Sequence, residues 1–255
     1  MIELTIIAFI LSYVSNMVGM GYGTIIVPIL LLLGLNPRDV VVGVLLSQLV
    51  GNSIAGITHH KLGTIVFHGR ESDRKHLLAL VFSAIIAVAI AVLLGVKLSE
   101  SYMKTYIGLI IVFSGIIVSI TGRKKHAPST GSDDKLLLKV SILSFIASFN
   151  KALTGAGYGP ILVPGQILLK INVRKAIALS LISEVIVNTV AVVFYLAADG
   201  VNLLPALALT IGTTLAAPLA SITVKKLDIL LLTRIIGIAT AIMGLVIIGK
   251  TINII

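Results

Sequence analysis

Two short glycine-rich runs have residue types that could hold a small charged molecule. Gly19-Met-Gly21-Tyr22-Gly23 interrupts one long apolar run, and Gly155-Ala-Gly157-Tyr158-Gly159 interrupts another. Glycine at alternate positions lets the backbone take positive φ and present successive bare N–H groups. The arm that follows opens with Thr24 in one case and Pro160 in the other. Threonine suits a helix N-cap and proline the first helical position. Each turn is thus expected at the positive end of a helix dipole, where an anion is favoured. The competing role for these glycines is close helix packing.

Polar residues recur downstream of both runs. Gln48 and Asn52 lie four apart, as do Glu184 and Asn188, so each pair shares a helix face. Ser47 and Ser183 sit one position earlier. Glu184 lies about 12 Å into its apolar segment at ~1.5 Å per residue. A carboxylate at that depth is costly unless paired, protonated or wet, which marks it as a proton carrier or a substrate contact. Lys151, four residues ahead of Gly155, is either its ion-pair partner or an attraction for an anion. Tyr22 and Tyr158 can donate a hydroxyl to a substrate or fill the turn. The candidate substrate-binding set is therefore Gly21, Tyr22, Gly23, Ser47, Gln48, Asn52, Lys151, Gly157, Tyr158, Gly159, Ser183, Glu184 and Asn188.

These residues belong to a repeat. Adding 136 carries Gly19, Gly21, Tyr22, Gly23, Val27, Pro28, Asn36, Arg38, Ser47 and Asn52 onto identical residues. Near the end of each copy the offset becomes 129, with Lys97, Leu98, Gly108 and Gly115 matching Lys226, Leu227, Gly237 and Gly244. Whole copies match, so the protein is two versions of one unit.

Composition sets the class. The 255 residues are 57% hydrophobic and only 12% charged, where a soluble domain is nearer a quarter charged. Several runs approach the ~20 apolar residues that cross a bilayer core. The chain reads as an all-α polytopic membrane protein in the cell membrane, its first hydrophobic segment retained. A net charge of +10 suggests nucleic acid only in a soluble protein; here the Lys and Arg lie mostly in short loops and set topology. With no Cys there is no disulfide and no thiolate metal site. No phosphate-binding loop, zinc-protease motif or nucleophile elbow is found, so no enzyme, nucleotide or redox cofactor is expected. Nothing in the sequence sets an oligomeric state.

Copy 1 (residues 1–121) is read as a broken hairpin at 2–33 and spans at 40–58, 77–96 and 101–121. A polar linker occupies 122–135, and copy 2 (136–255) repeats the plan with a broken hairpin at 136–169 and spans at 176–196, 203–222 and 230–249. Residues 2–33 as one straight helix would be about 45 Å long, too long for the core. Loop charges choose between crossing and re-entrant arms. If the broken segments cross, basic residues divide 10 to 9; if they re-enter, 15 fall on one side and 4 on the other. The positive-inside rule selects re-entry. Three full spans per copy then make the two copies inverted, as in many secondary transporters.

The doubled glycine run with its Val-Pro pair, the Leu35-Asn36-Pro37 turn and the serine-bearing helix resemble the TauE/SafE sulfite exporter family over nearly the whole chain. That resemblance implies an integral membrane transporter for sulfite or small organosulfur anions. The expectation is a secondary transporter exporting such an anion, held near the midplane between the two breaks. A proton-coupled importer, a passive channel and a scaffold without transport are the alternatives.

Overall fold

A computed structural model describes residues 1–18, 22–61, 71–121, 134–198, 202–223 and 229–252. Among these residues the chain is helical, with no strand. The helices are α1 (Ile2–Val18), α2 (Gly23–Leu32), α3 (Pro37–Lys61), α4 (Glu71–Lys97) and α5 (Glu100–Thr121), then α6 (Asp134–Thr154), α7 (Tyr158–Leu168), α8 (Val173–Ala197), α9 (Leu204–Thr223) and α10 (Ile229–Thr251). Five of them, α3, α4, α5, α6 and α8, are long and apolar enough to cross a membrane. This is an all-α polytopic membrane protein.

The second broken run breaks where its glycines stand; in the first, residues 19–21 lie outside the described residues, between α1 and α2. Residues 2–33 give α1 and the ten-residue α2, and 136–169 give α6 and the eleven-residue α7. Most of the linker lies outside the described residues, but Asp134 and Lys135 already belong to α6. The helix α4 starts at Glu71, six residues before the expected apolar boundary. Glu71 and Asp73 in its first turn look like loop by polarity, yet acidic residues favour the positive end of a helix dipole.

Helix α7 folds back along α6. A β-carbon built on Gly165 would stand 2.5 Å from Leu143 Cδ2, so a residue well after the turn abuts one well before it. At ~1.5 Å per residue, α6 is about 31 Å long and α7 about 16 Å. Length alone passes α6 as a span. Its last turn carries Lys151, however, and Lys151 reaches Gln48 and Glu184, which stand at the middle of α3 and α8. The tip of this hairpin therefore stands level with the middle of α3 and α8.

Side-chain links show which helix ends lie together. Asn36 caps α3 through the Arg38 amide (2.9 Å) and donates to Glu100 at the start of α5 (2.8 Å). The Arg38 guanidinium donates to the Val96 and Leu98 carbonyls, satisfying orphan acceptors at the negative end of α4. Asp39 accepts from the Asn202 amide, just before α9, at 2.9 Å. At the other end Lys175 near the start of α8 pairs with Asp73 near the start of α4 at 2.6 Å. Ser144 of α6 donates to the Leu80 carbonyl of α4 at 2.7 Å.

The packing pattern is its own image. α1 lies on α9 and α6 on α4, while α3 pairs with α8 and α5 with α10. Exchanging each helix for its counterpart in the other copy returns the same set. The α5–α10 pair is antiparallel and close, because Gly108 faces Gly244 and Gly115 faces Gly237. The outer helices expose large apolar side chains at helical spacing, such as Ile2, Ile6 and Ile10 on α1 and Leu207, Ile211 and Leu215 on α9, a lipid-facing pattern. The inner helices α2, α3, α7 and α8 supply much of the buried core, including Val27, Leu30, Leu45, Leu162 and Leu179.

Candidate functional site

Gly23, at the start of α2, meets the second glycine turn. A β-carbon on Gly23 would lie 2.0 Å from the Gly155 carbonyl oxygen, and Gly155 in turn packs on Val27, Val41 and Val44. Only bare backbone allows that approach. Gly155 and Gly157 take φ of +71° and +83°, the left-handed region that glycine enters at no steric cost. Gly157 is the N-cap of α7, and Thr154 Oγ1 accepts from the Ala156 amide at 3.1 Å, holding the turn. Gly21 lies outside the described residues. Tyr22 is the N-cap of α2, with Gly23 its first residue, and Gly159 is the second residue of α7.

Lys151 is the centre of the polar group. It is 1% exposed and Glu184 5% exposed. Lys151 Nζ stands 2.9 Å from Glu184 Oε1, an ion pair by distance whose alignment falls short of a hydrogen bond. It also donates to Gln48 Oε1 and, at 3.3 Å, to the Gly155 carbonyl. One ammonium thus holds α3, α8 and the second turn together.

Tyr158 and Ser183 share a hydrogen bond of 2.7 Å, and Ser183 also donates to the Leu179 carbonyl at 2.7 Å. The first copy differs. Tyr22 is as buried as Tyr158 and also lies beside its serine, but without the well-aligned bond of the second copy, while Ser47 donates to the Val44 carbonyl at 3.0 Å. Gln48 Nε2 and both amide atoms of Asn188 are buried without a partner. Asn52 is half-buried one turn beyond Gln48. The structure therefore joins Lys151, Gln48 and Glu184 in one contact and Tyr158 with Ser183 in another. Asn188 stands one turn along α8 from Glu184.

Sequence reasoning missed several members. Ser148 is buried beside Tyr158, and Ser114, buried with an unpartnered hydroxyl, has its Oγ 3.3 Å from a β-carbon built on Gly157. Ser148 did carry a signal, since Ser12 precedes it by the repeat offset of 136. Ser114 carried none. Thr213 of α9, which donates to the Ser47 carbonyl at 3.2 Å, gave no sign either.

The family model for the sulfite exporter TauE/SafE matches residues 4–247. The chain belongs to that family. It is 27% identical over 250 residues to the "Probable membrane transporter protein YtnM" of Bacillus subtilis (strain 168), covering 93% of this chain and 79% of that one. No solved structure matches. The family identity and the helices make this chain a multi-pass membrane transporter and not an enzyme.

Proposed function

We propose that this TauE/SafE member is a secondary transporter of the cell membrane that exports a small anion such as sulfite or an organosulfur anion. The observation that carries the reading is the meeting of Gly23 with Gly155, beside buried polar atoms that lack partners. Gln48 Nε2 and Asn188 Nδ2 are donors with nothing to donate to. An unsatisfied buried donor is costly, and an anion between the turns would satisfy both at once.

The two copies run in opposite senses across the membrane. In support, the start of α3 lies with the starts of α5 and α9, whereas the start of its counterpart α8 lies with that of α4. The side bearing the starts of α4 and α8 is cytoplasmic, because the re-entrant arrangement puts 15 basic loop residues there against 4 opposite. An anion then leaves with the membrane potential, which favours one negative charge by about 2.3 kcal/mol per 100 mV. Export needs no coupled ion; uptake would.

The test is flux in proteoliposomes. Saturable sulfite efflux with counterflow supports the transporter, unitary currents would mean a channel, and no flux of any small anion would leave a scaffold. A thermal-shift screen over sulfite, sulfonates, thiosulfate and carboxylates ranks the cargo.

A further inference from the structure

Lys151 and Glu184 are an asymmetric addition to a symmetric scaffold. The positions matching them in the first copy hold Ser15 and Gln48, neither of which ionises. All four are buried except for a few per cent of their surface. The ammonium at the meeting point is compensated by a carboxylate of the protein, Glu184, at 2.9 Å. The neighbouring groups are neutral: Gln48, the Gly155 carbonyl and, beside Glu184, the Ser183 hydroxyl held by Tyr158. Apart from tyrosines, the other buried ionisable side chains described, Asp73 and His76, stand at the start of α4, where Lys175 pairs with Asp73. A buried charge that loses its partner is strongly disfavoured.

We propose that Glu184 stands in for the transported anion whenever the site is empty. The proposal rests on the reading of this chain as an anion transporter. In the unloaded protein the carboxylate occupies Lys151, so neither group is left buried without a partner and the empty protein can change its access. An arriving monoanion takes the ammonium together with the free Gln48 Nε2. The displaced carboxylate turns to Asn188, one turn along the same face of α8, whose amide is buried with both atoms unpartnered. No proton is taken up, and the loaded protein carries one negative charge more than the empty one. The pair thereby sets whether the protein can return unloaded, which separates net export from exchange.

Full-length wild type and Glu184→Gln are reconstituted in liposomes with sulfite as the probe. Net efflux is measured under an imposed voltage, and counterflow is measured at zero voltage. In Glu184→Gln the empty protein carries a bare ammonium, so net efflux falls at least about tenfold while counterflow persists. The half-saturating sulfite concentration for counterflow also falls, because nothing competes for Lys151. A merely structural role for Glu184 would weaken both modes and raise that concentration. Net efflux and counterflow that change in the same proportion overturn the proposal, as does wild-type efflux that requires a pH gradient. If Glu184→Gln does not reconstitute, the double variant Lys151→Met with Glu184→Gln, which leaves no buried charge, carries the test. It should move no sulfite in either mode, and flux near the wild-type rate overturns the proposal. Wild-type protein that moves no sulfite in either mode brings down the transport reading itself, a result distinct from any change in the variants.

Discussion

Gly23 and Gly155 stand so close that a β-carbon on the first would lie 2.0 Å from the carbonyl oxygen of the second. The overlap is with backbone, so no rotamer change relieves it. Gly23→Ala must push the start of α2 and the second turn apart, at a cost of about 1–3 kcal/mol for forced overpacking. It should lower the melting temperature in detergent and cut anion flux at least about tenfold, since the two no longer meet. Gly157→Ala meets Ile110 at 3.0 Å and Ser114 at 3.3 Å, contacts that small shifts accommodate. Its cost is the left-handed φ of +83°, about 1–2 kcal/mol. The expected order is therefore Gly23→Ala worse than Gly157→Ala in both assays. Unchanged flux and affinity in both variants would return the glycines to a packing role away from the cargo.

The α5–α10 contact gives a second contrast among glycines. At Gly115 a β-carbon would lie 2.6 Å from both the Ala241 nitrogen and the Gly237 carbonyl oxygen, whereas at Gly56 it would meet nothing within 4 Å. Gly115→Ala should destabilise by about 1–3 kcal/mol through helix separation. Gly56→Ala, in the middle of a helical stretch, should be neutral or stabilise by up to about 1 kcal/mol. Thermal melts of the two purified variants decide it, and equal melts would show that the close glycine seam carries no stability.

Arg38 carries a third prediction. Its guanidinium reaches two carbonyls at the end of α4, Val96 and Leu98, from the first turn of α3. Charge-assisted hydrogen bonds contribute about 1.5–3 kcal/mol, and they also oppose the negative end of the α4 dipole. Arg38→Ala should lower stability by that amount, and Arg38→Lys should recover less than half, because an ammonium lacks the planar fork. Melting temperature against the wild type is the measurement. A lysine variant as stable as the parent would reduce the role to charge alone.

The repeat was fully visible in the sequence, because glycines and asparagines at one offset are improbable in an apolar chain. The breaks in the apolar runs were also legible from glycine chemistry, and the second run breaks at its glycines. Glu184 announced itself by its depth, and the structure pairs it with Lys151. What could not be read was the convergence of Gln48 and Glu184 on one lysine. They occupy matching positions in separate copies, and only the α3–α8 packing brings them together. Asn36 and Arg38 were legible as repeated but not as latches, since their partners Glu100, Val96 and Leu98 lie some 60 residues away where α4 ends and α5 begins. The start of α4 was missed because first-turn acids and loop acids look alike in a sequence.

Topology gives the last prediction, and the Cys-free sequence makes it direct to test. Tyr102 near the start of α5 and Lys250 near the end of α10 are both exposed, and the antiparallel α5–α10 pairing puts them at the same end. Lys75 near the start of α4 and Asp134 at the start of α6 are also exposed. The links from Asp73 to Lys175 and from Ser144 to Leu80 put those helix starts at the opposite end. Single cysteines at Tyr102 and Lys250 should therefore react with an impermeant maleimide in intact cells. Cysteines at Lys75 and Asp134 should react only after the membrane is opened, since the basic loops stay inside. Labelling of Lys250→Cys and Asp134→Cys from the same side would put α10 and α6 in the arrangement where each broken segment crosses. The inverted relation between the copies would fall with it, and so would the meeting of two like turns at mid-depth as the place where an anion is held.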